Sequence, residues 1–260
     1  MNVSQNKDEN LEKARDMIQE VVKQGAKIIV LPEMFNCPYQ AKNFPVYAEM
    51  QGEQTHQFLS NLAKEHEIYI VGGSIPERTV DNQIYNTCYI FDPSGNQIGK
   101  HRKTHLFDIQ IKGKIAFRES DTLTPGEGVT IVDTIYGKIG VMICYDIRFP
   151  EFSRKMALMG AKAIIIPGAF NMTTGPAHWE LTFRARAVDN QVFMIGTAPA
   201  RQYDMGYVSY GHSIVVSPWG EVITCLDENE GILLTDVDLD LVEDVREQLP
   251  LLKHRREELY

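Results

Sequence analysis

The 260-residue sequence is short of the features that most readily announce a function. Its four cysteines, Cys37, Cys88, Cys144 and Cys225, share no short repeating spacing, which excludes a disulfide framework and a zinc ribbon. No apolar run approaches the ~18–20 residues of a membrane-spanning helix. The best candidate, Ala163 to Ile166, stops at Pro167. The first nine residues are polar and lack the apolar stretch of a signal peptide. Positive charge is in deficit, with 26 Lys and Arg against 35 Asp and Glu, a net charge of −9. That balance argues against a nucleic-acid or anionic-membrane partner, both of which demand surplus cations. There is no Gly-x-Ser-x-Gly elbow, no His-Glu-x-x-His and no phosphate loop. The expectation is a soluble protein of a reducing compartment, the cytoplasm, with no metal and no organic cofactor.

What is present is an ordinary globular composition, 43% apolar and 23% charged, long enough to bury a large core. No linker or composition shift divides it, so residues 1–260 are expected to form a single domain. From Glu9 to Gln24, Leu11, Ala14, Met17, Ile18, Val21 and Val22 recur at helical spacing, and Gly25 can close the helix. Further helices are expected over Thr55 to His66, Pro150 to Met159, Pro176 to Asn190 and Leu239 to Gln248. Strands are expected over Lys27 to Leu31, Ile68 to Ile75, Ile84 to Phe91, Gln97 to Arg102, Val129 to Asp133 and Lys138 to Ile143. More follow over Ala163 to Ile166, Val192 to Thr197, His212 to Val216, Glu221 to Leu226 and Ile232 to Val237, while Thr104 to Glu127 reads as mostly irregular. The segment Gly25 to Phe35 matches Gly160 to Phe170 at six of eleven positions, each behind an amphipathic helix. Two related α/β halves would bury two sheets against each other with helices outside.

Three polar residues end apolar strands, where α/β folds place their sites. Cys144 ends Lys138-Ile-Gly-Val-Met-Ile, at a strand-to-helix junction whose helix N–H groups lower a thiol pKa; a small buried hydrophobe is the equally simple alternative. Glu33 ends Ile-Ile-Val-Leu-Pro, and its counterpart in the internal match is Gly168, so the half-repeat does not need a carboxylate in order to fold. Lys103 follows Gln97 to Arg102 and by local pattern is one more residue of a charged run. His101 and His105 flank it, but four-residue spacing joins two ligands on a helix, not on a strand running into a loop. Thiol, carboxylate and ammonium make chemical sense together. The carboxylate is a base for the thiol, and the ammonium stabilises thiolate and oxyanion.

The motifs Ile-Val-Leu-Pro-Glu33-Met-Phe, His-Arg-Lys103-Thr-His-Leu-Phe and Met-Ile-Cys144-Tyr-Asp-Ile-Arg-Phe-Pro-Glu151 resemble the three catalytic signatures of the nitrilase, or carbon–nitrogen hydrolase, superfamily, and the likeness runs nearly end to end. The resemblance implies a four-layer αββα sandwich of two mixed sheets, with internal pseudo-symmetry, usually paired as a homodimer. It implies Cys144 as nucleophile, Glu33 as base, Lys103 and the Tyr145 backbone N–H as oxyanion donors, and Glu119 as a second glutamate orienting lysine and water. Finer segments, among them Pro167-Gly-Ala-Phe-Asn171 and Thr173 to Glu180, are similar to the omega-amidases, which hydrolyse the terminal amide of 2-oxo dicarboxylic acid monoamides; a neighbouring branch acts on deaminated glutathione. Arg148 matches a position that holds a substrate carboxylate in carbamoylase relatives, against the alternative of an ion pair with Glu151 or Asp146. Tyr39 and Phe170 are expected beside Arg148 in substrate binding.

Relatives normally begin with a short apolar strand that has no counterpart here, since Met1 stands where that strand would have ended. The expectation is a core missing one strand, with exposed edges and apolar surface, and a natural start upstream of Met1 or a truncated chain. An intact mass from the native source tests this. Two other readings compete. A protease-like hydrolase would pair Cys144 with His178 or His212, and a binding protein would keep an inactive fold.

Overall fold

The structure, a computed structural model, describes residues 1–259. The chain runs α1 (Lys7–Lys23), β1 (Ile28–Val30), α2 (Phe44–Tyr47), α3 (Gln54–His66), β2 (Tyr69–Val71), β3 (Ile75–Arg78), β4 (Ile84–Phe91) and β5 (Gln97–Arg102). A ribbon of β6 (Asp108–Ile111) and β7 (Ile115–Arg118) follows. The second half is β8 (Thr130–Thr134), β9 (Gly137–Val141), α4 (Pro150–Leu158), β10 (Ala163–Pro167), α5 (Gly175–Asn190), β11 (Phe193–Thr197), β12 (Ile214–Val216), β13 (Val222–Cys225) and α6 (Leu241–Gln248).

Two mixed sheets form. The first is ordered β1-β2-β4-β3, with β5 also on β4; the second is β13-β12-β11-β10-β9-β8. Alternation along the strands shows how the layers stack. Ile29, Leu31, Ile70, Tyr89 and Phe91 pack with Leu11, Ile18, Leu59 and Leu62 of α1 and α3. Val71, Cys88 and Ile90, pointing the other way, join a cluster with Ile139, Val141 and Ile165 of the second sheet. Met156 of α4 and Trp179 and Phe183 of α5 cover that sheet's far side. Helices, sheet, sheet and helices therefore form four layers, as expected.

The internal match is structural. β1 pairs parallel to β2 after α1 and α3, and β10 pairs parallel to β11 after α4 and α5. In the second half β9 runs parallel along the free side of β10. Among the described residues no strand pairs with the corresponding side of β1, which ends its sheet. A cavity of about 780 Å³ lies there, walled by Ile28–Leu31, by Met17, Ile18 and Val21 of α1, by Ile139, Ile165, Ile195 and Val215 of the second sheet, and by 231–240.

Four expectations are corrected. Ile232 to Val237 is not a strand. Residues 233–240 alternate between half-buried and exposed like one, but no neighbour completes a ladder. Ile68 to Ile75 is not one strand but two, because Gly73 turns at φ 57°, where a Cβ would come 2.2 Å from the Pro32 carbonyl. Thr104 to Glu127 contains the β6–β7 ribbon. Helix α1 starts earlier than its apolar periodicity, since Asn6 caps the amides of Asp8 and Glu9.

Candidate active site

Strand ends deliver the site. Glu33 lies just past β1, Lys103 directly follows β5, and Cys144 lies three residues past β9 at the start of a short 3₁₀ turn, Cys144–Arg148. Glu119 opens another such turn after β7. Glu33, Lys103 and Glu119 are 0% exposed and Cys144 is 4% exposed. The Lys103 ammonium donates to Glu33 Oε1 at 2.9 Å and to Glu119 Oε1 at 2.9 Å. Glu33 Oε1 also accepts from Asn86 Nδ2 at 2.9 Å, and its Oε2 accepts from the Ala169 N–H at 2.8 Å. Glu119 Oε2 accepts from the Phe107 N–H at 2.6 Å. Glu33, Lys103 and Glu119 all act electrostatically on the Cys144 thiol. Cys144 itself sits at φ 47°, a left-handed geometry that costs a non-glycine residue ~1–3 kcal/mol.

The electrostatics follow from burial. Desolvation pushes the Cys144 thiol well above its ordinary range and the nearby Glu33 charge adds to this, while Lys103 opposes it. Desolvation also raises Glu33, against the pull of Lys103 and with a push from Glu119. Burial works against the charge on Lys103, but Glu119 and Glu33 beside it outweigh that and hold it protonated. Cys144 is therefore held as a neutral thiol beside a buried carboxylate.

Of the residues named from sequence, Glu33, Lys103, Cys144 and Glu119 are brought together. Tyr39 joins them, its hydroxyl donating to Glu119 Oε1 at 2.6 Å. Arg148 is half-buried, with its guanidinium 4.7 Å from the Phe170 ring centre and 5.8 Å from that of Tyr145. It donates to His178 Nδ1 at 3.2 Å, and among the described residues no carboxylate pairs with it, neither Glu151 nor Asp146. His178 is thus occupied with Arg148, and His212 stacks on Tyr210 at 4.0 Å; neither ring serves Cys144. The protease-like reading is set aside.

Sequence reasoning missed Asn86, a buried amide within the apolar β4, and Tyr207, whose hydroxyl donates to the Ala169 carbonyl at 2.5 Å beside the Glu33 contact. It also missed Asp146, which accepts from His101 Nε2 and the Ile143 N–H at 3.0 Å each, and from the His105 N–H and Nδ1 at 2.8 and 2.7 Å. Four donors leave that carboxylate no lone pair for a cation, so His101 and His105 are structural partners of an acid.

A family model described as carbon-nitrogen hydrolase matches residues 1–247. An omega-amidase NIT2 of Xenopus tropicalis is 51% identical over 259 residues, 99% of this chain and 93% of that protein. Omega-amidase NIT2 of Homo sapiens is 48% identical over 260 residues, 100% of this chain and 94% of that protein. Among solved structures, Saccharomyces cerevisiae Nit3, a member of branch 10 of the nitrilase superfamily, superposes with a TM-score of 0.91 at 45% identity, covering 98% of this chain and 93% of that one.

Proposed function

The chain belongs to the carbon–nitrogen hydrolase family, and from that premise we propose that it is a thiol amidase of the omega-amidase type, cleaving the terminal amide of 2-oxo dicarboxylic acid monoamides such as 2-oxoglutaramate or 2-oxosuccinamate. The observation that carries the substrate class is a half-buried guanidinium without an acidic partner, Arg148, on the turn that begins with Cys144. A site built to take a carboxylate leaves such a cation waiting for one. Phe170 packs beneath the guanidinium and sets its plane.

In the proposed cycle Glu33 takes the Cys144 proton as sulfur attacks the amide carbonyl. Lys103 and the Tyr145 N–H stabilise the oxyanion. Glu33 returns the proton to the departing nitrogen and ammonia leaves a thioester. A water deprotonated by Glu33 then attacks the thioester, and the carboxylate product leaves the regenerated thiol. Glu119 keeps Lys103 charged and aimed through its 2.9 Å contact. No step asks for a cofactor.

The proposal extends to a homodimer and to the cytoplasm. Leu158 and Met159 at the end of α4, Leu181 and Val188 on α5, and Trp219 are large apolar residues at 43–64% exposure, which suits a second copy. Light scattering of Leu181→Asp against the parent chain tests this. Four free thiols suit a reducing compartment. The activity is tested by ammonia release from 2-oxoglutaramate, glutamine, asparagine and deaminated glutathione, with Cys144→Ala as control. Turnover is expected to be fastest on 2-oxoglutaramate, and release no faster than in the control would overturn the reading.

A further inference from the structure

We infer that Asp146, with His101 and His105, is a clasp that positions Lys103 against Cys144, and that the two histidines are positioning residues for a reaction they do not touch. The inference rests on the thiol-amidase reading for what is being positioned, but its geometry stands alone. Asp146 is 0% exposed and lies two residues past the nucleophile. His101 and His105 lie two residues before and two after Lys103. Oδ2 takes His101 Nε2 and the Ile143 N–H, both at 3.0 Å; Oδ1 takes the His105 N–H at 2.8 Å and its Nδ1 at 2.7 Å. One carboxylate thus ties the turn carrying the thiol to the chain on both sides of the lysine. These elements come from different sheets, so no backbone ladder fixes the distance between them.

His101 Nδ1 lies 3.1 Å from the Thr130 hydroxyl, which in turn reaches the Lys100 carbonyl at 3.2 Å, and its Nε2 lies 3.0 Å from Asp146, so the ring is held from both sides. His105 is held in plane by Phe149, stacked at 3.7 Å, and by the edge of Phe152 at 5.4 Å.

A misplacement of ~1 Å at a reacting group can cost ~100-fold in rate. The test compares His105→Ala with His105→Asn, whose amide reproduces the Nδ1 donor, and adds Asp146→Asn. Two readouts apply: steady-state turnover of 2-oxoglutaramate, and the second-order rate of Cys144 alkylation by iodoacetamide at 20 °C. His105→Ala is expected to lose about 10- to 100-fold in kcat and a comparable factor in alkylation, with KM within about threefold, and His105→Asn to recover most of both. A merely structural role would lower thermal stability and leave folded protein alkylating at the parent rate. That outcome, or equal losses for the Ala and Asn variants, overturns the clasp. Should Asp146→Asn fail to fold, the His105 pair still decides. Should the parent enzyme hydrolyse no amide, the functional reading fails while the alkylation result continues to judge the clasp.

Discussion

The Tyr39 hydroxyl donates across 2.6 Å to Oε1 of Glu119, the oxygen that also receives the Lys103 ammonium at 2.9 Å. A phenol so engaged steadies Glu119, and through it Lys103. Tyr39→Phe removes one charge-assisted bond, worth ~1.5–3 kcal/mol, in a site where the oxyanion depends on lysine placement. The expected result is a roughly 10-fold fall in kcat with KM nearly unchanged, read from steady-state kinetics. A rise in KM alone would return Tyr39 to substrate binding.

Arg148 offers a planar fork where lysine offers a point charge. Arg148→Lys is expected to raise KM for 2-oxoglutaramate by about 10-fold and to leave a neutral amide such as butyramide within about twofold. Equal losses on both substrates would make Arg148 a support for the turn and for His178.

The base must be ionised to act, which fixes the sign of the pH dependence. Burial raises Glu33 above its ordinary 4.5, Lys103 opposes this, and Glu119 adds to it. As pH falls through that raised value Glu33 protonates and attack stops. The acid limb of kcat/KM is therefore expected above the usual carboxylate range. Glu119→Gln removes a like charge from beside Glu33 and should shift that limb to lower pH, even as the plateau drops because Lys103 loses a partner. A pH–rate profile of the two enzymes checks the direction.

The cavity beside β1 lies between Ile28–Leu31 and residues 231–240, which are not laddered to each other, whereas in the second half β9 pairs along the corresponding side of β10. Its walls carry Ile28, Ile29, Val30 and Leu31 on one side and Ile232, Leu233, Leu234 and Val237 on the other, so the best occupant is a continuous aliphatic strand, not an alternating one. A six-residue aliphatic peptide flanked by lysines, at about 100 times its Kd, is expected to stabilise the protein by ~2.7 kcal/mol. That is a Tm rise of about 5–10 °C for a chain of this size by differential scanning fluorimetry. A serine-substituted peptide should do nothing.

The helices and most strands were legible because burial leaves a pattern: Leu11 to Val22 recur at the helical period, and Ile84 to Phe91 is a short, almost wholly buried run rich in β-branched and aromatic residues. Ile232 to Val237 has the right residues, but a strand is defined by its neighbour, which local pattern cannot supply. Glu33, Lys103 and Cys144 stood out as polar groups ending apolar strands. Asn86 and Asp146 did not, because their importance lies in hydrogen bonds to partners more than forty residues away along the chain, Asn86 donating to Glu33 and Asp146 accepting from His101. The His101–Lys103–His105 run looked like solvated charge from within, yet His101 and Lys103 are buried, and Asp146, past the end of β9 in the other sheet, takes both histidines.

Gly168 joins the internal match to the chemistry. It occupies the place in the second half that Glu33 occupies in the first. A Cβ on Gly168 would lie 3.2 Å from the Trp179 ring and 3.4 Å from the Cys144 Cα. Trp179 has little room to yield. It is 1% exposed, its indole N–H donates to the His212 carbonyl at 2.6 Å, and Phe170 and Phe183 press on the ring at 5.0 and 4.6 Å. Cys144 must give instead, and its backbone already sits at φ 47°. Gly168→Ala is therefore expected to cost ~1–3 kcal/mol of stability as overpacking, a Tm loss of several degrees. The displaced sulfur should lower kcat by about 10-fold or more. Gly168→Val, with two further methyls against the same wall, should leave less than a hundredth of the parent activity. Retained turnover in Gly168→Ala with an unchanged Tm would show that the nucleophile's turn has slack that the packing around Trp179 denies.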